Sequence, residues 1–429
     1  MDDFVAERLP AWVALRRDIH REAELGFTEY RTVAVLADRL GQLGFALRMG
    51  SEVMAGESMR GRPAPELVTR RAASAAEIPG GAAVARALPD GMTGLVAELR
   101  RGDGPVVALR FDIDALPVNE SADRAHRPAA GGYRSANAGV MHACGHDGHA
   151  AIGIGVAEWL ADPRSRWSGT IRLVFQPAEE GGRGAKPMAD AGVVDDCTHF
   201  FAAHLGCGLA SGRIAAAATS MLYSTKLDVR FRGRAAHAGG SPHEGRNALL
   251  AGATATVGLH AISRHGEGRS RVNVGRMDAG TARNVIADHC LLEMEVRGET
   301  EAVADYMEQR AREVIAGAAA MHDVTHEIEV VGQTIGGDAD ATAADIVASA
   351  AAATPGVREV LPVWALGGGE DAPFFMRRVQ ARGGIATYFV IGADLAACHH
   401  AVDFDFDEAS IGTGVAVYAR VVEQASAAA

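Results

Sequence analysis

Apolar residues recur at helical spacing from Ala11 to Leu43, where Trp12, Leu15, Ile19, Val33, Leu36 and Leu40 follow a 3.6-residue period. After residue 92 the pattern shortens. Gly94–Leu99 and Val106–Phe111 are apolar runs of strand length, and the second ends in the carboxylates of FDIDALP. A helical stretch at His149–Leu160 follows, then a strand at Ile171–Phe175 ending in QPAEEGG and a strand at Phe200–His204. Strands that end in polar residues and alternate with helices predict an α/β domain with a mostly parallel sheet. Such sheets gather ligands at the carboxyl ends of their strands.

From Tyr223 the order changes. Strand Thr225–Phe231, helix Arg246–Ile262, strands Ser270–Met277 and Cys290–Arg297, helix Glu301–Ala319 and strand His326–Val331 spell β-α-β-β-α-β. That order predicts a ferredoxin-like domain at 222–331, inserted in a larger one made of 1–221 and 332–429. The larger domain resumes with a strand at Tyr388–Ile391 and a final helix from Glu408. Residues 51–92, rich in Ala, Gly, Arg and Pro, read as an inserted helical or mobile excursion.

A length of 429 residues exceeds what one core usually supports, which agrees with two domains. The net charge of −12 argues against nucleic-acid and anionic-membrane partners, while leaving room for a local basic pocket. No apolar run reaches the length of a membrane span, and the N-terminus lacks the basic and apolar regions of a signal peptide. Five scattered cysteines do not form a disulfide framework. A reducing cytoplasm is the expected location.

The stretch MHACGHDGHAAI (Met141–Ile152) sets Cys144 and His146 two residues apart, where a turn can aim a thiolate and an imidazole at one centre. Alone that spacing is weak, because a lone cysteine is usually a small core residue. Glu179 and Glu180, His204, and His400 in CHHAVDFDFDE add donors at other predicted strand ends. A mixed sulfur, nitrogen and oxygen set suits a catalytic site, most naturally with two metals, better than a closed structural zinc site. Glu179, beside a proposed ligand, is free to act as general base. His142 and His149 read as groups that hydrogen-bond the ligands. Asp112, Asp114 and Asp147 could cap a strand or orient metal-bound histidines.

These motifs resemble the di-metal aminoacylase and carboxypeptidase-like amidohydrolases, in the branch of hippurate hydrolases, N-acetyl-amino-acid deacetylases and auxin-conjugate hydrolases. The resemblance rests on HACGHDGH, QPAEEGGRGAKPM, AHLG and CHHAVDFDFDE, and runs from Trp12 to Val422 apart from 51–92. It implies Cys144, His146, Glu180, His204 and His400 as ligands of two divalent cations, manganese first and zinc as the alternative, with His399 open as the last ligand. It implies Glu179 as catalytic base and a lid and dimerisation role for 222–331. His237 in GRAAHAGG would then assist catalysis, and Asn284 and Arg297 would bind a carboxylate, with Arg283 and Lys226 as further substrate contacts. The segments 51–92, TARNVIAD and GGGEDAPFFMRRVQ extend the resemblance to members that cleave p-aminobenzoyl-glutamate together with a second, related chain. The implied reaction is hydrolysis of an N-aroyl or N-acyl amino acid. Its rivals are a general aminoacylase, a non-catalytic partner subunit that kept the fold, and a structural zinc protein.

Overall fold

The computed structural model describes residues 1–427. The chain lays down β1 (Ala46–Met49), β2 (Leu95–Arg101), β3 (Val106–Asp112), β4 (Gly169–Gln176), β5 (His199–Leu205) and β6 (Arg213–Thr219). It continues with β7 (Tyr223–Arg232), β8 (Ser270–Ala279), β9 (His289–Gly298) and β10 (Thr325–Thr334), then returns with β11 (Glu359–Ala365) and β12 (Ile385–Ile391). The first six and last two make one sheet in the order β1-β2-β4-β3-β5-β12-β6-β11; the middle four make another, β10-β7-β9-β8. The large sheet is mixed. Its centre, β4-β3-β5-β12, is parallel, as is β6-β11, while β1-β2, β2-β4 and β12-β6 are antiparallel.

The helices are α1 (Asp2–Arg21), α2 (Tyr30–Gln42), α3 (Pro65–Ala75), α4 (Gly81–Ala87), α5 (Arg127–Ala130) and α6 (His146–Ala161). They continue as α7 (Ala185–Asp190), α8 (Ala248–His260), α9 (Glu301–Met321), α10 (Ala341–Ala352), α11 (Pro373–Gln380) and α12 (Ala409–Ala427). Alternate residues of a strand face opposite sides. In β3, Leu109 and Phe111 join a core with α1, α2, α6, α10 and α12, while Ala108 joins the core that holds α7 and α11. Two buried faces explain why the central strands read as continuous apolar runs. Helix α6 lies close against the sheet, because a Cβ at Gly153 would meet the Phe175 ring at 2.6 Å.

The helical period from Ala11 to Leu43 is interrupted. Helix α1 stops at Arg21, and α2 restarts at Tyr30, where Glu24 accepts the N–H groups of Arg31 and Thr32 at 3.1 and 2.8 Å. That carboxylate satisfies donors that a helix start leaves unpaired. Between residues 50 and 92 the chain forms short 3₁₀ turns with α3 and α4, and packs on α2. Tyr30 ties it down, donating to the Leu88 carbonyl at 2.9 Å and accepting the Gly91 N–H at 3.0 Å.

In the small sheet, Leu227, Val229, Leu292, Met294 and Val296 face α8 and α9. The opposite face carries the alternate, polar positions, Lys226 and Asp228 on β7 and Glu293, Glu295 and Arg297 on β9. Among the described residues, no helix is long and apolar enough to cross a membrane.

Candidate metal centre

Four parallel strands deliver the site at one edge of the large sheet. β3 ends in Asp112 and leads to Asp114, β4 leads to Glu179 and Glu180, β5 carries His204, and the loop after β12 carries His399 and His400. Cys144 and His146 arrive on the turn into α6, where Gly145 adopts φ 91°. Ala178, Cys207 and His400 also have positive φ, at 51°, 48° and 70°. Non-glycine residues rarely adopt this region, and such strain concentrates at functional sites. Here Ala178 directly precedes Glu179 and His400 is itself a candidate ligand.

The donors converge. Ligand atoms of Cys144, Glu180 and His400 lie within 4.8 Å of one another, as do those of His146, Glu179 and Glu180, and those of Cys144, His204 and His399. Cys144 Sγ is 3.4 Å from His204 Nε2, and Glu180 Oε1 is 3.3 Å from His400 Nε2. His146 donates through Nδ1 to the Asp114 carbonyl and carboxylate at 2.9 and 3.2 Å, and His204 donates through Nδ1 to the Leu205 carbonyl at 2.7 Å. Both imidazoles therefore turn Nε2 toward the centre, the tautomer a metal ligand needs. The Asp114 carboxylate also accepts the N–H groups of Glu179 and Glu180, each at 3.0 Å. One side chain thus sets both the His146 imidazole and the paired glutamates.

The set fits a cation. Among the described residues, His146 Nε2, Glu180 Oε1 and His399 Nδ1 are buried without hydrogen-bond partners, an arrangement that is costly in a dry interior. Burial, reinforced by the charge of Glu180, pushes the Cys144 thiol well above its ordinary range. Burial also raises the Glu179 carboxyl, with the Glu370, Glu180 and Asp371 charges adding to it. Burial holds the His204 imidazole well below its ordinary value and hence neutral. A divalent ion reverses these costs, because it stabilises thiolate and carboxylate and takes the free nitrogen lone pairs.

Beneath the donors lies a charge network that local sequence pattern does not reveal. Arg110, fully buried, donates to Asp112 at 2.7 Å, Glu370 at 3.0 Å, Asp371 at 3.3 Å and Gln176 at 2.7 Å. Tyr388 donates to Glu370 at 2.5 Å. A ligand oxygen of each of Glu179, Glu370 and Asp371 falls within 4.8 Å of the others. The one signal for it is a lone arginine inside the apolar run VVALRF, which must have buried anions to pair with.

The expected supporting roles change for Asp147, Asp112, His149 and His142. Asp147 does not orient a metal-facing imidazole; its carboxylate contacts Arg16 Nε at 2.7 Å and His20 Nδ1 at 2.8 Å, on the far side of α6. Successive residues of a helix diverge by about 100°, so Asp147 cannot share the aim of His146. Asp112 pairs with His149 Nδ1 and Arg110, while Asp114 holds His146. His149 spends its other nitrogen on the Leu205 N–H at 2.9 Å, which leaves none for a metal. His142 is buried with neither ring nitrogen hydrogen-bonded among the described residues, and burial pushes its imidazole down to about 4. His399 accepts the Cys207 N–H through Nε2 at 3.1 Å.

The small sheet contributes Lys226, half-buried; burial lowers its ammonium, and the nearby charges of Glu179, Glu295 and Glu180 act to raise it. Arg297 pairs with Glu295 at 2.9 and 3.1 Å. His237, Arg283 and Asn284 are exposed, and none of them hydrogen-bonds the donor cluster among the described residues. His237 Nδ1 accepts the N–H groups of Gly239 and Gly240 at 3.1 and 2.9 Å, leaving Nε2 free to donate.

Residues 108–424 match the model of peptidase family M20/M25/M40. The chain is 44% identical to indole-3-acetyl-aspartic acid hydrolase of Enterobacter agglomerans, over 95% of this chain and 94% of the relative. It is also 44% identical to the A component of p-aminobenzoyl-glutamate hydrolase of Escherichia coli (strain K12), over 98% and 97%. The crystal structure of the aminobenzoyl-glutamate utilization protein from Klebsiella pneumoniae superimposes with a TM-score of 0.85 at 39% identity, covering 99% of this chain and 98% of that one. The convergent donors and the family match together make this chain a hydrolase of peptidase family M20/M25/M40.

Proposed function

We propose that this hydrolase cleaves the amide bond of p-aminobenzoyl-glutamate, releasing p-aminobenzoate and glutamate. The observation that carries the chemistry is the set of three overlapping donor groups, Cys144 with His204 and His399, Cys144 with Glu180 and His400, and His146 with Glu179 and Glu180, in which the Glu179 carboxylate accepts no hydrogen bond among the described residues. The substrate reading is supported by the two relatives, whose names differ in the acyl half and agree on an acidic amino acid in the amine half.

Cys144, His146, Glu180, His204 and His400 would hold two divalent cations, manganese or zinc, which when bound supply Lewis acidity and activate a water. Glu179, anchored through its N–H to Asp114, takes the water proton and delivers it to the leaving nitrogen. His237 donates from Nε2 to the oxygen where negative charge develops. Asn284 and Arg297 hold the α-carboxylate, the guanidinium offering two parallel donors. Residues 222–331 form the lid. Because His237 and Asn284 are not bonded to the donor cluster of their own chain, closure or a second copy must bring them to it, which favours a homodimer through the lid. The Escherichia coli relative is named as one component of a multi-chain hydrolase, which also favours a second, related chain as partner. All five cysteines are unpaired, which fits a reducing cytoplasm.

The test is hydrolysis by the purified, manganese-loaded protein of aminobenzoyl-glutamate, hippurate and N-acetyl amino acids in parallel, with and without the related B component. Preference for aminobenzoyl-glutamate is expected. Faster turnover of N-acetyl amino acids would replace it by a general aminoacylase, and inactivity on every amide with both metals bound would sink the proposal.

A further inference from the structure

The helix-free face of the small sheet carries basic side chains on all three of β7, β9 and β8, namely Lys226, Arg297 and Arg271. Antiparallel register sets Ser224, Arg297 and Arg271 directly across from one another on β7, β9 and β8, and sets Lys226, Glu295 and Asn273 across in the next rank on the same face. Lys226 is the member within range of the Glu179 and Glu180 charges. A cavity of about 450 Å³ opens over β8 and β9, walled by Arg269, Arg271, Arg297, Asn273 and Glu295 and reaching Gly367. Three guanidinium groups against one carboxylate make a positive cavity in a chain whose net charge is −12.

The three arginines differ in their partners. Arg297 pairs with Glu295, and Arg269 with Glu299 at 3.3 Å. Arg271 donates only to the Ser270 carbonyl, at 2.8 Å, so its charge has no carboxylate among the described residues. Neighbouring strands stand about 4.8 Å apart. Standard bond lengths separate the two carboxylate carbons of aspartate or glutamate by about 4–5 Å, nearly the same interval. A dicarboxylate can therefore place one group on Arg297 and the other on Arg271, while its amide nitrogen faces the Lys226 side.

From this we infer that Arg271 forms a second anion subsite that recognises the side-chain carboxylate of the amino acid released from the amide. The inference rests on the proposed amidohydrolase reaction and adds the source of its preference for an acidic amine half. Arg271 is a specificity residue here, because the scissile bond is two strands away. Arg269 and Arg297 each already hold a glutamate, Glu299 and Glu295, so Arg271 brings the one guanidinium of the three without a carboxylate among the described residues.

The experiment compares aminobenzoyl-glutamate with aminobenzoyl-glutamine as substrates of the metal-loaded wild type, Arg271→Ala and Arg271→Lys. The glutamate-to-glutamine ratio of kcat/KM is expected to fall about 10–100-fold in Arg271→Ala, with partial recovery in Arg271→Lys. An unchanged ratio overturns the subsite, even where both rates fall together. Should wild type hydrolyse neither amide, the proposed function fails separately. Calorimetric titration of N-benzoyl-glutamate and N-benzoyl-glutamine then reads the subsite directly, in Glu179→Gln with and without Arg271→Ala. A glutamate preference lost with Arg271 supports the inference, and equal binding of both ligands with Arg271 present overturns it.

Discussion

Asp114 accepts the Nδ1–H of His146 on both its carbonyl and its carboxylate oxygen, at 2.9 and 3.2 Å. The same carboxylate holds the N–H groups of Glu179 and Glu180. Asp114→Ala should therefore weaken metal binding about 10–100-fold, the usual effect of losing a group that orients a ligand. Calorimetric metal titration reads it; unchanged affinity would show that the His146 ring is held by packing alone.

Glu179→Gln keeps the shape of the side chain and removes its basicity. The variant should bind the same equivalents of metal as wild type and lose about 10²–10⁴-fold in kcat, the range of a general base. Metal content by atomic absorption and turnover on one sample decide the matter. Retained turnover removes Glu179 from the reaction.

Two adjacent histidines compete as the last ligand. His399 uses Nε2 to accept the Cys207 N–H and keeps a buried Nδ1 without a partner among the described residues, while His400 directs Nε2 at Glu180. His400→Ala should lower metal stoichiometry, whereas His399→Ala should retain it. The opposite pattern of metal content exchanges the two roles.

Arg16 is wholly buried among Asp147, Asp405 and Glu408, at 2.7, 2.8 and 3.2 Å. Removing one partner of a buried ion group strands the others in low dielectric. Arg16→Met should cost about 3–5 kcal/mol in urea unfolding, since it leaves three acidic side chains facing an apolar one. A loss below about 1 kcal/mol would mean that their other partners, His20 on Asp147, Arg127 on Asp405 and Arg17 on Glu408, compensate them.

Burial raises the Glu24 carboxyl from 4.5 to about 7, against the hydrogen bonds from Thr32 and Arg31 that act to lower it. The folded state then holds this proton over a pH range in which the unfolded chain has released it. Stability is highest from this group below pH 4.5, falls as the pH rises from there to about 7, and stays reduced above. The full decline is on the order of 3 kcal/mol. Glu24→Gln, which is neutral at every pH, should flatten that slope in urea titrations at about pH 5 and about pH 8. Parallel pH profiles for the two proteins would exclude the effect.

Much of the architecture was legible in local pattern. The apolar runs at β3, β4 and β5 are buried on both faces, and the β-α-β-β-α-β order of the small sheet follows from alternation and helical period alone. β1, β6 and β11 were not legible. β6 reads RIAAAAT, a composition that favours helix, and it is a strand because β11 and β12 supply its hydrogen-bond partners.

For the site, the sequence by itself determined the donor types, since thiol, imidazole and carboxylate are fixed by residue identity. Only the tertiary structure decided their aim. It turned Asp147 toward Arg16 and His20, gave His149 to Asp112, and gave His146 to Asp114. It also brought Glu370 and Asp371 to Arg110, some 260 residues away in the chain. Hydrogen bonds depend on direction over about 3 Å, and that direction is set by chain crossings that no local pattern encodes.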